Sequence, residues 1–386
     1  MSVSAKTAGT VVSASSFVQF ILKMNARCNL ACTYCYIYSG ADTGWRHRPT
    51  GPDERVLAAT AQRIAEHART HRLRNISLVL HGGEPLLSGP AALADAVERV
   101  RRAVPADCVV HASVQTNATL LTDDGIRQLA AHGIRIGVSL DGGSAHHNRE
   151  RVDHAGRPSW KAAERGLRLL AEKRHSSSYA GVLCVVDLRS DPAEVYRSLL
   201  SFHPPALDFL LPHGNWTTPP PGLPAPGAPY GDWLCEVFDL WWTADRRRTR
   251  IRLFEECIAL LVGAPAATES MGLQPFTAVV VETDGSIEQV DSLKSAYEGA
   301  AATDLDVFRN TFDDALHHPG ILARQAGLAA LADECRRCPL VQVCGGGQYT
   351  HRYRAGSGFR NPTIYCHDQQ RLIRHIAGRL TEAAAV

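Results

Sequence analysis

The chain lacks both a long hydrophobic run and an excess of charge of one sign. Its 386 residues include 41 lysines and arginines against 39 aspartates and glutamates, a formal net charge of +2. This balance argues against nucleic acid or an anionic membrane as the main partner. No apolar stretch is long enough to span a bilayer, and residues 1–16 are polar without the apolar region of a signal peptide. We therefore expect a cytoplasmic protein.

Cysteine is the residue type that the chain has in unusual number and arrangement. There are 11 cysteines, which in a reducing compartment indicate metal or redox chemistry rather than a disulfide framework. Seven of them fall into two patterned groups. We expect most of the others to be buried small hydrophobic residues: Cys108, Cys184, Cys235 and Cys257.

Short apolar runs alternate with amphipathic helical stretches from residue 17 to about residue 245. The predicted strands are Phe17–Lys23, Ile76–Leu80, Val109–Gln115, Ile134–Ser139, Gly181–Val186 and Leu207–Leu211. The helices predicted between them include Asp53–His71, Ala91–Val104, Thr122–His132, Ser159–Arg174 and Asp191–Ser201. This alternation favours parallel βαβ units, and six of them suit a partial (β/α)6 barrel with its chemistry at the carboxyl ends of the strands.

The remainder of the chain has a different texture. Pro212–Pro229 predicts a long loop, either functional or a solvated connector, and Gly231–Ala244 predicts a helix with its tryptophans in the core. Farther on, Thr277–Glu282 and Ser286–Val290 predict a hairpin around Asp284-Gly285. We therefore predict an α/β protein in four segments: polar residues 1–16, a barrel over 17–245, a helical linker over 246–270 and a small Cys-bearing domain over 271–386.

The first cysteine group, Cys28, Cys32 and Cys35, follows the first predicted strand with the spacing C-x-x-x-C-x-x-C. A cubane iron–sulfur cluster has four irons, each of which usually takes one protein thiolate. Three close thiolates leave one iron open for a substrate or cofactor. Zinc would more often require a fourth ligand nearby, and no Cys or His stands close with that spacing. The run therefore indicates a catalytic cluster rather than a structural metal site or three chance cysteines.

With Tyr34 before its third cysteine, this run resembles the signature of radical S-adenosylmethionine (SAM) enzymes. The resemblance implies a [4Fe–4S] cluster whose open iron chelates the amino and carboxylate groups of SAM. Electron transfer from the cluster would cleave a carbon–sulfur bond and give a 5′-deoxyadenosyl radical. It also implies an electron donor such as a flavodoxin or ferredoxin. By the same resemblance, Tyr34 would lie beside the adenine.

A glycine-rich turn, His81-Gly82-Gly83-Glu84-Pro85, follows the second predicted strand. Glycines there let the backbone approach a ligand closely and leave its polar groups free. On its own, the motif is also compatible with an ordinary strand-end turn. It resembles the family's element that binds the amino group of SAM, where Glu84 acts on SAM or stabilises the loop.

Polar residues also stand at the ends of the third and fourth predicted strands. By resemblance to peptide-modifying members of the family, Ser139 and Arg151 would bind the SAM carboxylate, since arginine offers carboxylates a planar fork. Asn117 and Asp141 would line the ribose or the peptide. Each residue has an ordinary structural interpretation too, because Asp-Gly is a common turn and serine caps helices.

The second cysteine group has the spacing C-x2-C-x5-C-x21-C and consists of Cys335, Cys338, Cys344 and Cys366. Four thiolates can saturate a second [4Fe–4S] cluster, which then carries electrons or supports structure, and zinc is the alternative on ligand count. The spacing resembles the second auxiliary cluster of the SPASM extension on radical SAM peptide maturases. Gln348 and Val290 stand where cysteines of the first auxiliary cluster would lie, so we expect that cluster to be absent.

Asp291 keeps the place of an aspartate that accepts a proton in some of these relatives. A carboxylate near a buried active site can have a raised pKa and act as a base. The alternative is an aspartate of a turn or salt bridge.

The resemblance extends over nearly the whole chain. Segments similar to the FxsB-type radical SAM/SPASM maturases are Lys23–Arg27, Asp42–Arg46, Leu80–Leu87, Leu210–Trp216 and Gln348–Tyr353. Several members of that group form cyclophanes, joining an aromatic ring carbon to the β-carbon of a residue two places along. The resemblance thus implies an enzyme that crosslinks a ribosomally synthesised precursor peptide, with Asp291 taking the proton and the second cluster the electron.

Two other functions stay open. One is oxidation of a Ser or Cys in a protein, as in sulfatase-maturating relatives, which the missing first auxiliary cluster weakens. The other is a non-catalytic iron–sulfur carrier or sensor, which would leave the elements at Gly82–Pro85 and Ser139–Arg151 without a role. We expect no leader-binding module ahead of the first strand, so a leader would bind the barrel, the second domain, another chain or nothing.

Overall fold

The computed structural model describes residues 14–244, 248–265 and 269–385. Most of the predicted polar segment 1–16 and parts of the predicted linker 246–270 lie outside the described residues. The strands are β1 (Gln19–Asn25), β2 (Asn75–Gly82), β3 (Val109–Thr116), β4 (Arg135–Ser139), β5 (Tyr179–Val185), β6 (Ala206–Leu210), β7 (Arg250–Ile251), β8 (Ala278–Val281), β9 (Ser286–Glu288) and β10 (Ala302–Asp306).

The α-helices vary from four-residue turns to a long terminal helix. They are α1 (Glu54–Thr70), α2 (Pro90–Ala103), α3 (Asp123–Ala131), α4 (Trp160–Leu170), α5 (Pro192–Leu200), α6 (Pro229–Trp242), α7 (Arg252–Leu261), α8 (Phe312–Leu316), α9 (Pro319–Gln325), α10 (Asp333–Arg336), α11 (Val341–Cys344) and α12 (Cys366–Ala384). Among the described residues, none of these helices has the length and apolar character needed to cross a membrane.

The ten strands of the described residues form one sheet in the order β10-β9-β8-β1-β2-β3-β4-β5-β6-β7. Strands β1 to β6 are parallel neighbours, and helices α1 to α5 connect them in turn. The six predicted barrel strands all overlap observed strands. The predicted α/β fold with a partial parallel barrel is therefore confirmed.

Alternating burial places the strands between two environments. Along β2, Ile76, Leu78 and Leu80 are at most 1% exposed, while the residues between them point away from that core. Helix α1 begins where the Asp53 carboxylate accepts the Val56 amide at 2.8 Å, and its apolar face joins the same core. Each fully buried aliphatic side chain contributes about 1.5–3 kcal/mol of transfer free energy, so the sheet and its helices form one large core.

The predicted hairpin is present but lies in the barrel sheet. Strands β8 and β9 pair antiparallel, and Gly285 in the turn has a φ of 88°, a value that favours glycine. Strand β8 also runs parallel to β1 and pairs with it. The hairpin therefore extends the barrel sheet and brings Glu282 and Asp291 to the carboxyl end of β1, although the predicted boundary at residue 271 would assign it to another domain.

The long loop over 212–229 is attached to the C-terminal part of the chain. The Asn215 side-chain amide donates to the Ser295 carbonyl at 3.1 Å, and the Trp216 indole donates to the Pro362 carbonyl at 2.7 Å. Of the two interpretations left open for this loop, these bonds contradict the solvated connector. The following helix α6 packs on α12, and Trp241 is 1% exposed, as predicted for a core residue.

Candidate functional site

The first three cysteines lie in the loop that leaves β1. The Leu30 amide donates to Cys28 Sγ at 3.4 Å, and the Cys35 amide turns back to the Cys32 carbonyl at 3.1 Å. Burial, together with smaller contributions from the charges of Glu84, Cys32 and Cys35, raises the pKa of the Cys28 thiol to about 12. Thiols close enough to influence one another fit a shared metal group, which would deprotonate them on binding.

Gly83 permits the close approach of the β2 loop to this cysteine loop. Its amide donates to the Asn25 carbonyl at 2.7 Å. A Cβ at this position would lie 2.0 Å from the Tyr38 hydroxyl oxygen and 2.3 Å from the Arg27 carbonyl oxygen. A larger residue would therefore push the glycine-rich turn away from the cysteines, as the sequence suggested for Gly82 and Gly83.

Glu84 is fully buried, and its carboxylate is hydrogen-bonded to the loops that follow β2 and β3. It accepts hydrogen bonds from the Leu86 amide at 2.9 Å, the Thr116 hydroxyl at 2.7 Å and the Asn117 amide at 2.8 Å. Burial raises the pKa of this carboxyl, and the hydrogen bonds oppose that rise. Of the two roles considered for Glu84, these contacts favour stabilisation of the loop between β2 and β3.

Tyr34, Asp141 and Arg151 form a buried network beside Cys32. Arg151 Nη1 donates to the Tyr34 hydroxyl at 2.8 Å and lies 3.9 Å from Asp141 Oδ2, to which the Tyr34 hydroxyl donates in turn. Burial opposes the charge of Arg151, but Tyr34, Asp141 and Cys32 together raise its pKa. The chain thus fixes a permanent cation next to the cysteine loop, which sequence reasoning had not placed in contact with Tyr34.

The remaining predicted cofactor contacts lie on neighbouring strand ends. Asn117, after β3, donates to the Asn29 side chain at 2.9 Å and approaches Cys28 Sγ at 3.8 Å. Ser139, at the end of β4, accepts from the Gln115 side chain at 2.9 Å. The predicted residues therefore stand on consecutive strand ends of β2, β3 and β4, around one cysteine loop.

Asp291 lies at the same mouth, on the side of β1 and β8. Its carboxylate is 2.5 Å from Lys23 Nζ, 3.5 Å from Lys294 Nζ and 4.0 Å from His81 Nδ1. Burial alone would raise the pKa of Asp291, but the Lys23 and Lys294 ammonium groups outweigh burial and keep the pKa below its usual range. Of the two interpretations left open for Asp291, a base with a raised pKa or an aspartate of a salt bridge, the ion pairs favour the second, and the carboxylate is ionised at neutral pH.

The ion pairs continue from Asp291 toward the surface. Lys294 Nζ lies 2.5 Å from Glu282 and 2.9 Å from Glu288, and Arg48 lies 2.6 Å from Glu288. Burial raises the pKa of Glu288 to about 7 against the pull of Lys294. Three buried carboxylates could by themselves suggest a metal site, but here three cations already neutralise them. The signal in the sequence was a single lysine, Lys23, inside an apolar strand.

The four cysteines of the second group line one cavity. A space of about 190 Å³ is lined by all four cysteines, Cys335, Cys338, Cys344 and Cys366, together with apolar residues such as Leu340 and Val341. The Gln370 amide donates to Cys366 Sγ at 3.3 Å. Four thiols around one largely apolar space fit a four-thiolate cluster.

The glycine run after Cys344 shapes one wall of this cavity. Gly345, Gly346 and Gly347 have φ values of 60°, 79° and 68°, and a Cβ on Gly345 would lie 1.6 Å from the Gly272 carbonyl oxygen. Arg352 donates to the carbonyls of all three glycines, at 2.8, 3.0 and 2.6 Å. The run is therefore a fixed turn that only glycine can form.

Apolar packing surrounds the places where the first auxiliary cluster would need ligands. Val290 belongs to a small hydrophobic cluster with Phe276 and Leu293, and Tyr349, next to Gln348, packs on that cluster. The Arg324 guanidinium stacks over Phe276, 3.3 Å from the ring centroid. The four cysteines outside the two groups are buried as predicted, and Cys257 is enclosed in the main core.

Comparison with known proteins agrees with this geometry. Residues 22–189 match the radical SAM superfamily. The chain is 28% identical over 333 residues to a serine-type anaerobic sulfatase-maturating enzyme of Klebsiella aerogenes, covering 86% of this chain and 79% of the relative. It is 24% identical over 371 residues to a cysteine-type enzyme of Clostridium perfringens, with coverages of 92% and 95%. The structure of native anSMEcpe with bound AdoMet superposes with a TM-score of 0.79 at 22% identity, covering 95% and 99% of the two chains.

These relatives correct the expected function. Cyclophane formation in a precursor peptide, the main prediction from the sequence, is contradicted because relatives similar over most of the chain include serine-type and cysteine-type sulfatase-maturating enzymes. The cofactors expected from the two cysteine groups, SAM and two [4Fe–4S] clusters, are confirmed. Residues 22–189 thus match the radical SAM superfamily, and anaerobic sulfatase-maturating enzymes are similar to this protein over most of the chain.

Proposed function

We propose that this protein oxidises the side chain of a serine or cysteine in a protein substrate by radical SAM chemistry. The observation that carries the proposal is similarity over most of the chain to both serine-type and cysteine-type sulfatase-maturating enzymes. The ionised carboxylate of Asp291 at the barrel mouth supports it, because such an oxidation releases a proton.

The cofactor sites follow from the two cysteine groups. We infer that Cys28, Cys32 and Cys35 hold the SAM-binding cluster and that Cys335, Cys338, Cys344 and Cys366 hold the auxiliary cluster. Bound there, SAM and its cluster would supply the radical for hydrogen-atom removal, and the auxiliary cluster would supply an electron acceptor. A flavodoxin or ferredoxin is the proposed external donor.

The SAM contacts belong to the proposal as well. Gly82 and Gly83 would present backbone groups to the amino group of SAM, and Ser139 and Arg151 would face its carboxylate. Arg151 is suited to this because Tyr34, Asp141 and Cys32 raise its pKa against the effect of burial, so its charge is kept at neutral pH. Tyr34 would orient Arg151 through the 2.8 Å hydrogen bond while its ring lies at the cofactor site, and Asn117 would line the ribose.

Asp291 is the proposed proton acceptor. Lys23 and Lys294 keep it ionised, so it can take a proton from the reacting hydroxyl or thiol without first losing one. A carboxylate with a lowered pKa is a weak base, and the substrate radical must therefore be acidic for the transfer to be favourable. His81, 4.0 Å from Asp291, shields the carboxylate on the β2 side.

The proposed domain organisation stays as the sequence predicted it, with a barrel over residues 17–245, a linker over 246–270 and the Cys-bearing domain over 271–386. The pairing of β8 with β1 ties the last segment to the first. The resemblance to the FxsB-type maturases stays a prediction, and we propose no activity on the basis of it.

The test is a reaction of the reconstituted protein with paired synthetic peptides that carry Ser, Cys or Ala at one position. Oxidation of serine removes the mass of two hydrogens and leaves an aldehyde that a hydrazide probe captures. The cysteine peptide gives the same aldehyde after loss of sulfur. The Ala peptide is the control and should stay unlabelled. A crosslinked product without an aldehyde would reject the proposal.

A further inference from the structure

A row of four aromatic rings connects the two cysteine groups. Tyr36 directly follows Cys35, and its ring centroid is 4.3 Å from that of His213. His213 lies 5.8 Å from His351, and His351 lies 4.8 Å from Tyr365, which directly precedes Cys366. The row therefore begins beside a cysteine of the first group and ends beside a cysteine of the second.

A hydrogen bond provides a second connection along the same row. The Tyr365 hydroxyl donates to the Pro212 carbonyl at 2.7 Å, and Pro212 is the chain neighbour of His213. His213 and Tyr365 are thus joined both through the His351 ring and through a hydrogen-bonded backbone carbonyl. Electron tunnelling weakens much less through packed, bonded and hydrogen-bonded atoms than across empty space.

Packing alone does not account for the two histidines. His351 is 1% exposed and neither of its ring nitrogens has a hydrogen-bond partner among the described residues. Nδ1 of His213 also lacks a partner there. Burying unpaired polar atoms costs free energy that a phenylalanine or leucine would avoid. Burial also lowers the pKa of both rings, so the row is uncharged at neutral pH.

The row also passes the reacting end of the site. Tyr36 and His213 both lie within electrostatic reach of Asp291. The place of a first auxiliary cluster, which could otherwise shorten the path, is filled by the apolar cluster around Val290 and Phe276. Among the described residues, the four rings form a continuous packed route from Cys35 at the barrel mouth to Cys366 of the second group.

We propose that Tyr36, His213, His351 and Tyr365 form the electron path from the reacting substrate to the auxiliary cluster. The inference rests on the proposed function. After hydrogen-atom removal, the substrate carbon radical loses one proton from its hydroxyl or thiol to Asp291 and one electron along the row. The carbon gains a double bond to oxygen or sulfur as the O–H or S–H bond breaks, and an oxidised [4Fe–4S] cluster is reduced by one electron. The rings act as a tunnelling medium and are not oxidised themselves.

The test needs no peptide, so it stands apart from the test of the proposed function. The holoenzyme with both clusters is partly reduced by a light pulse with a photoreductant, and freeze-quench EPR follows redistribution of the electron between the clusters. We expect Y365F and H351L to slow redistribution several-fold. H351F keeps a ring at that position and should keep the wild-type rate.

Tyr230 supplies the matched control. Its hydroxyl donates to the Pro221 carbonyl at 2.7 Å, and its ring packs against Tyr365 at 5.2 Å, but it lies off the row. Y230F therefore loses the same kind of bond and should leave the rate unchanged. Iron content and circular dichroism check each variant, and Y365F decides the question if H351L fails to load both clusters.

The outcomes separate clearly. Slowing in Y365F with normal rates in H351F and Y230F supports the path. Equal rates in all loaded variants, equal slowing in Y230F and Y365F, or no redistribution in the wild type would overturn it. Peptide oxidation is scored separately by mass, so a failed electron path and a failed proposed function give different results.

Discussion

The two cysteine groups lie in different surroundings. The first lies among charged groups at the ends of strands, with Arg151 and Asp141 beside Cys32 and the carboxylate of Glu84 near Cys28. The second lines a partly open, largely apolar cavity of about 190 Å³ whose other walls include Leu340 and Pro362. Three thiols with charged neighbours leave room for a ligand, whereas four thiols around an apolar space complete a cluster by themselves.

This difference indicates a division of labour. Charges fixed in advance can orient an ionic cofactor and a proton acceptor without rearrangement during the reaction. A cluster in the second group is suited to receive an electron, because hydrogen bonds to its sulfurs, such as that from the Gln370 amide to Cys366 Sγ, help to set its reduction potential. The proposed function therefore separates the place where bonds change, at the first cysteine group, from the place that receives the electron, at the second.

Removing the three cysteines of the first group, called the open group here because three thiolates leave one iron open, should have the largest effect on activity. Changing Cys28, Cys32 and Cys35 to Ala should abolish SAM cleavage, since the radical cluster would lose all its protein ligands. Formation of 5′-deoxyadenosine, measured by chromatography with a chemical reductant, checks this. C235A changes a cysteine that is 4% exposed in the core and should keep the activity. Persistent 5′-deoxyadenosine in the triple variant would refute the assignment of the open group.

Neutralising Asp291 should separate hydrogen removal from proton transfer. D291N should lower product formation by about 10²–10⁴-fold, the usual contribution of a positioned base, while 5′-deoxyadenosine still forms. Leaving Lys23 and Lys294 partly unpaired in the interior should also lower the free energy of unfolding by about 3–5 kcal/mol. Product assays and denaturant titrations measure the two effects.

The control for this variant is Asp284, which pairs with Arg48 at the outer end of the same ion network and is 37% exposed at its side chain. D284N should leave product formation unchanged. Equal losses in D291N and D284N would mean that the network acts only through stability.

A conservative change at Arg151 should have a smaller effect on the open group. R151K keeps the charge but loses the planar fork and the 2.8 Å bond to Tyr34, so SAM should bind about 1.5–3 kcal/mol more weakly. Equilibrium binding of SAM to the reconstituted protein measures this. R149K changes an arginine that pairs with Asp187 instead, and its SAM affinity should match the wild type. Unchanged affinity in R151K would remove Arg151 from the cofactor site.

The smallest expected effect is on the free energy of unfolding at acidic pH, through the two histidines that lie between the cysteine groups. Burial lowers the pKa of His213 from an ordinary value of 6.5 to about 4, and it also lowers the pKa of His351 well below that ordinary value. The unfolded chain therefore binds protons that the folded chain refuses as the pH falls below 6.5, so stability is present above that pH and is lost toward pH 4. Glu288, with its raised pKa, acts with the opposite sign near pH 7.

The variant H351F isolates the histidine contribution. It removes one of these groups while keeping a ring, so its free energy of unfolding should fall less between about pH 7 and pH 4.5 than that of the wild type. Urea titrations at each pH measure the difference. A parallel pH dependence in the two proteins would mean that His351 binds protons freely in the folded state.

The sequence predicted those features whose signals are local. The six barrel strands, both cysteine groups and the buried state of Cys108, Cys184 and Cys235 follow from patterns within a few residues. The pairing of β8 with β1 and the approach of Lys23 to Lys294 and Asp291 join distant parts of the chain, and no short pattern marks them. The activity was mispredicted because motifs such as Leu80–Leu87 position a shared cofactor and do not distinguish the substrates.

The central claim is that the first cysteine group, Cys28, Cys32 and Cys35, binds SAM and that the second group does not. EPR spectra of the reduced, reconstituted protein with and without SAM test this claim directly. The variant C338A disrupts the cluster of the second group. We expect two reduced cluster signals, one of which changes when SAM is added, and C338A should retain that SAM-sensitive signal. A response to SAM in both signals, in neither, or only in the signal that C338A removes would contradict the claim.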